Sequence, residues 1–202
     1  MEIEFHQLRP NDVPGAVALQ RACFPPPFPE ELLWQSAHLF RHLEVFPTGQ
    51  FVATVAETVV GSASNLIISE ANFQSHANWE TTVGGHDLNA HDPCGSTLFG
   101  VDISVHPNFR GRGIARRLYA KRFEFVRMNS LLRYATACRL PDYIHSGVEN
   151  IHEYVQAVVR GVLTDRTLTP LLKLGLEFDR VIENHMEDEE SGNTAALLIW
   201  EP

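Results

Sequence analysis

Apolar positions along the chain switch several times between a two-residue and a 3.6-residue period, which predicts strands and helices in alternation. A short alternating run over 3–8 closes at Arg9-Pro10 and reads as a strand. A helix follows, with Asn11 or Asp12 as its cap, Pro14 in the first turn, and Ala16, Leu19 and Cys23 on one face. The Pro25-Pro26-Pro27 run breaks it. A second helix is expected to begin at Pro29-Glu30-Glu31, with Leu33, Ala37 and Phe40 as its stripe. Segments 51–56 and 59–68, rich in β-branched residues around Glu57-Thr58, form a hairpin. Between 71 and 97 the pattern dissolves into Asn, His, Gly and Asp, so this long insertion reads as a flap.

Regularity returns with a strand over 98–106 that Pro107 stops, since proline has no N–H for the next ladder bond. A helix over 113–129 carries Ile114, Leu118 and Phe125 on one face. After it come a strand over 132–138, an added loop and helix within 140–165, and a short helix opened by Thr167 or Thr169 and closed by Gly175. Strands over 176–182 and 194–200 flank an acidic stretch that reads as a solvated turn. The order β-α-α-β-β-β-α-β-α-α-β-β describes one α/β domain, residues 1–202, around a mostly antiparallel sheet.

Composition narrows the class. With 44% hydrophobic and 20% charged residues the chain resembles an ordinary water-soluble domain, and no apolar run approaches the roughly 18 residues a membrane span needs. Cys23, Cys94 and Cys138 are widely spaced, without a Cys-x-x-Cys pair, and residues 1–10 have no signal-peptide character. A reducing cytoplasm is the expected location. The formal net charge of −9 disfavours nucleic acid as a partner. His76, His86 and His91 with Asp87, Asp92 and Cys94 fit no ligand spacing, and His38 with His42 lacks a third donor, so no metal is expected.

One junction concentrates positive charge in this acidic chain. Residues 110–127 hold seven basic side chains against a single acid, Glu124. The segment reads Val105-His106-Pro107-Asn108-Phe109-Arg110-Gly111-Arg112-Gly113-Ile114-Ala115 between a strand and an amphipathic helix. Glycines there allow close backbone approach, and the helix start offers unpaired N–H groups and the positive end of its dipole. Such a turn suits a pyrophosphate. The Gly-x-Gly-x-x-Gly spacing of dinucleotide folds and the Gly-Lys-Ser/Thr of P-loops are both missing.

The Val-x-Pro-x-x-Arg-Gly-x-Gly-x-Ala run resembles the acyl-CoA site of the GNAT superfamily of N-acetyltransferases, and the element order is similar over nearly the whole chain. Trp79-Glu80-Thr81-Thr82, His91-Asp92-Pro93, Arg139-Leu140-Pro141-Asp142-Tyr143 and Asp165-Arg166-Thr167-Leu168-Thr169 resemble GNAT domains fused to nitrilase-type carbon–nitrogen hydrolases. The hydrolase's own residues do not follow before Pro202, so a stand-alone copy is expected. The resemblance implies a mixed sheet of about seven strands with a splayed central pair, and acetyl-CoA as cosubstrate. Backbone near Ile103 and Val105 would hold the pantetheine, while Arg110, Gly111, Arg112, Gly113, Ile114 and Ala115 would hold the pyrophosphate.

A small-molecule or peptide amine would attack the thioester directly, with the 71–97 insertion over the acceptor side and homodimer formation left open. Many relatives place a Tyr four residues before the Gly that closes the late helix, but here that position is Leu171. Tyr143 is the replacement candidate for the acid, and Asp102 or His106 for the base. A second reading keeps the acyl-CoA site without catalysis, as a sensor or scaffold for a hydrolase.

Overall fold

The computed structural model describes residues 2–26 and 28–202; Pro27, the last of the three breaking prolines, lies outside them. Among the described residues seven strands form one sheet in the order β1-β2-β3-β4-β5-β7-β6. They are β1 (Glu4–Gln7), β2 (Phe51–Val55), β3 (Thr58–Ile68), β4 (Thr97–Val105), β5 (Arg133–Arg139), β6 (Glu177–Ile182) and β7 (Ala195–Trp200). Only β4 and β5 run parallel; every other pair is antiparallel. Ala56 and Glu57 join β2 to β3 with φ of +46° and +66°, the primed-turn geometry whose twist matches the strands it links.

The helices are α1 (Val13–Cys23), α2 (Ser36–Val45), α3 (Glu70–Ser75), α4 (Trp79–Val83), α5 (Ile114–Met128), α6 (Ile151–Val159) and α7 (Leu168–Lys173). On one face of the sheet, α5, α6 and α7 pack against Ile67, Leu98, Tyr134, Cys138 and Leu198. Helix α5 lies close because Gly61 has no side chain; a Cβ there would sit 2.7 Å from Ile114. The other face receives α1 and α2 through Val13, Ala16, Leu19, Trp34 and Leu39. No helix among the described residues is long and apolar enough to cross a membrane.

Three expectations need correction. The helix expected from Pro29 is a 3₁₀ turn at Glu30–Leu32, and α2 begins only at Ser36, after extended Gln35. The 71–97 insertion has structure of its own. Ser69 and Asn78 cap α3 and α4 by accepting the N–H groups of Asn72 and Thr81, and Phe73, Val83 and Leu88 are buried against Leu66, Ile68 and Phe99. The acidic stretch is solvated only in part, at Glu183, Glu187 and Glu189. Asp188 is buried and takes a bidentate pair from Arg139, at 2.5 and 2.6 Å, while Glu190 binds both Arg139 and Arg166.

Candidate functional site

Strand β4 builds the site by losing a neighbour. It pairs with β5 only from Thr97–Arg133 to Gly100–Thr136, after which the two part. At the same level the β3–β4 register slips: Asn65 faces Gly100 but Ser64 faces Asp102, so Val101 is an extra residue, a bulge. Beyond the bulge, the His106 N–H bonds the Val60 carbonyl. Strand alternation then turns the backbone groups of Ile103 and Val105 to the edge that β5 has vacated. Their side chains pack beneath α5, and the Val105 carbonyl already receives the Cys23 thiol and Arg110 Nε, at 3.3 and 3.2 Å.

Past β4 the chain makes a 3₁₀ turn at Pro107–Phe109 and then starts α5. Gly111 and Gly113 both adopt left-handed backbone, φ +74° and +76°, and nothing lies within 4 Å of where a Cβ would be on either. Gly113 caps α5 without any side-chain bond, so the N–H groups at the start of a 15-residue helix face open space. Arg110 and Arg112 fold back toward this turn, Arg112 resting 5.0 Å from the Phe109 ring. Ile114 is buried and anchors the helix, whereas Ala115 is exposed. Two open glycines, an uncapped helix and flanking arginines fit a pyrophosphate.

Asp102 and Ser104 turn to the opposite face, where Ser104 Oγ donates to the Asp102 carboxylate at 3.3 Å. Burial pushes the Asp102 pKa up to about 6, against the opposing pull of Arg122, Ser104, Gln20 and Trp34. Burial also raises the neighbouring Cys23 thiol. Trp34 joins Trp79 and His86 in an aromatic cluster beside this carboxyl, with centroids 5.3 to 6.3 Å apart, so the insertion reaches the Asp102 side of the sheet. His42 beneath it is driven down to about 4 by burial.

The other two candidates are placed differently. His106 Nδ1 accepts the Asn108 N–H and the ring meets Phe109 edge-on, so this residue shapes the 3₁₀ turn rather than joining Asp102. Tyr143 donates its hydroxyl to the Glu149 carbonyl at 2.7 Å and packs against Tyr154. Its phenol is already committed to holding its own loop. Cys138 is buried, its thiol pushed far up, so it offers no nucleophile. Among the described residues no group of three His, Cys, Asp or Glu is gathered to hold a metal.

A residue that the sequence did not single out lies where the strands fork. Tyr134 on β5 is buried, and a Cβ on Gly100 would be 2.1 Å from its hydroxyl. The glycine and the phenol therefore fit one another across β4 and β5. The only signal in the sequence was a glycine inside a strand, which marks a close approach.

Residues 14–142 match the acetyltransferase (GNAT) family. The chain belongs to the GNAT family. Among curated GNAT relatives, the Uncharacterized N-acetyltransferase YkwB of Bacillus subtilis is 35% identical over 192 residues, covering 94% of this chain and 84% of YkwB. The Probable hydrolase YhcX of the same organism is 31% identical, and this GNAT chain matches 37% of its length and 94% of its own. Among solved structures, the loading GNATL domain of CurA from Lyngbya majuscula superposes with a TM-score of 0.84 at 15% identity, covering 100% of this chain and 98% of that one. The GphF GNAT-like decarboxylase in complex with isobutyryl-CoA gives 0.79 at 22%, with 98% coverage of each chain. These two share the GNAT fold with it.

Proposed function

We propose that the protein transfers an acetyl group from acetyl-CoA to a primary amine by direct attack on the thioester. The observation that carries this reading is the alignment of the vacated β4 edge with the uncapped start of α5. A ligand with an anionic head and an amide-bearing arm finds donors for both along one continuous path. The α5 N–H groups, Arg110 and Arg112 bind the pyrophosphate, and the backbone of Ile103 and Val105 pairs with the arm. Acetyl-CoA supplies the activated acyl group.

Asp102 is the general base in this reading. It stands on the far side of β4, next to the bulge, with a pKa of about 6 that leaves it ionised at neutral pH yet basic enough to take a proton from an ammonium group through water. A backbone N–H of the bulged strand polarises the carbonyl; the C–N bond forms as the C–S bond breaks, and CoA leaves as the thiolate and takes its proton from water. A second reading, an acyl-CoA-binding module without turnover, is favoured by Leu171 at the usual tyrosine position and by the commitment of Tyr143 to Glu149. Calorimetry with acetyl-CoA and thiol release with a panel of small amines and peptide N-termini separate the two. Micromolar binding with amine-dependent thiol release supports transfer, binding alone supports the module, and no binding overturns both.

A further inference from the structure

At the fork of β4 and β5 the chain buries a guanidinium that feels the Asp102 carboxyl through space but hydrogen-bonds no carboxylate. Arg122 on α5 is 1% exposed, and its two hydrogen bonds go to neutral carbonyls: Nη2 donates to Asp102 at 2.6 Å and to Ser64 at 3.2 Å. These carbonyls flank the bulge. Among the described residues Nε and Nη1 have no hydrogen-bond partner, and neither does the nearby Tyr134 hydroxyl. The guanidinium carbon stands 4.9 Å from the Tyr119 ring and 5.4 Å from the Tyr134 ring, which offsets only part of the cost of burying the ion. Three buried polar groups without a hydrogen-bond partner thus lie around the end of the β4–β5 ladder.

The ladder ends at Gly100, where the open edge of β4 begins. Strands rise about 3.3 Å per residue, so the five steps from Val105 back to Gly100 cover roughly 16 Å. An arm anchored at the 110–115 turn and running along the open edge therefore delivers its acyl group toward Gly100, Tyr134 and Arg122. A purely apolar acyl end would leave these donors unpaired, and an oxygen acceptor with negative charge would satisfy them. We infer that Arg122 and Tyr134 form an acyl-end subsite selective for a CoA thioester whose acyl chain ends in a carboxylate. The inference rests on the acyl-CoA reading of the site and narrows its substrate class beyond acetyl.

Binding alone tests it. Calorimetry on the full chain compares succinyl-CoA with butyryl-CoA, two four-carbon acyl groups that differ at the terminal carboxylate, with CoA as reference. The parent should bind succinyl-CoA at least tenfold more tightly than butyryl-CoA. Arg122→Met should abolish the preference, and Tyr134→Phe should reduce it threefold or more. Equal binding of the two thioesters by the parent, or a preference that survives Arg122→Met, overturns the subsite. If circular dichroism shows Arg122→Met unfolded, Tyr134→Phe decides, and an unchanged preference in that variant overturns it. CoA binding without acyl discrimination sinks this inference alone. Absence of any CoA binding removes the acyl-CoA reading as well.

Discussion

The turn at 110–115 and the cluster around Asp102 lie on either side of one strand and are built in opposite ways. The turn is made from contiguous residues and mostly from backbone: two glycines with positive φ, an uncapped helix and two arginines folded onto their own loop. The Asp102 side draws Gln20 from α1, Trp34 from the segment before α2, Ser104 from β4, and Trp79 and His86 from the insertion. A site for an invariant group can be written locally in the chain. A site that has to suit a particular acceptor is assembled from distant segments, each free to vary.

The sharpest way to break this contrast is to alter Asp102, which should affect turnover and stability in opposite directions. Asp102→Asn is expected to lower amine-dependent turnover by about 10²- to 10⁴-fold, the range of general base help, with CoA affinity unchanged. The parent's rate should fall as pH drops through about 6, and the variant should lose that limb. Because the folded-state pKa lies above that of the unfolded chain, the ionised carboxyl costs stability near pH 7, and this cost disappears as the pH falls. The Asn variant should therefore be more stable at pH 7 by about 1–2 kcal/mol in urea, a figure reduced for the group's partial exposure.

The turn is tested by Gly113→Asp. With φ at +76° and open space around it, the substitution brings backbone strain of about 1 kcal/mol together with a negative charge where a phosphate should sit. CoA affinity should fall about a hundredfold by calorimetry, and Gly113→Ala, which carries only the strain, should retain most of it. An equal loss in both variants would assign the effect to backbone geometry rather than charge. Away from both regions, Asp188→Asn leaves Arg139 without its bidentate partner and should cost about 2–3 kcal/mol in denaturant titrations while sparing CoA binding. The smallest effect is expected at Tyr143. Its hydroxyl is held by Glu149, so Tyr143→Phe should turn over within about threefold of the parent, short of the general-acid range.

What the sequence disclosed follows the same division. The succession of strands along the chain, the hairpin and the glycine turn were legible because period, turn residues and helix starts are local signals. The ion pair of Arg139 with Asp188 spans 49 positions, and nothing in the run 183–190 marks one acid as buried and the others as exposed. Helices α3 and α4 are only six and five residues long, too short for a period to show, although their caps Ser69 and Asn78 were available as signals. Tyr134 is buried, as an aromatic residue on a strand is expected to be. Only the register of β4 against β5 reveals that its hydroxyl ends at a fork and not in an ordinary ladder.

The insertion also has an acid-labile latch. His76, just beyond α3, stacks on His185, beyond β6, with centroids 5.3 Å apart and ring nitrogens at 3.3 Å. Burial drives the pKa of His76 down to about 3 and that of His185 to about 4, so both rings are neutral in the folded state. The unfolded chain binds protons at these residues near pH 6.5, and the stability they contribute is therefore lost as the pH falls below that value. Acid should loosen the insertion before the sheet: amide exchange between pH 7 and pH 5 is expected to accelerate first across 70–90, with β3 and β7 still protected. In a mildly acidic medium the molecule would then keep its glycine turn while the wall beside Asp102 came undone.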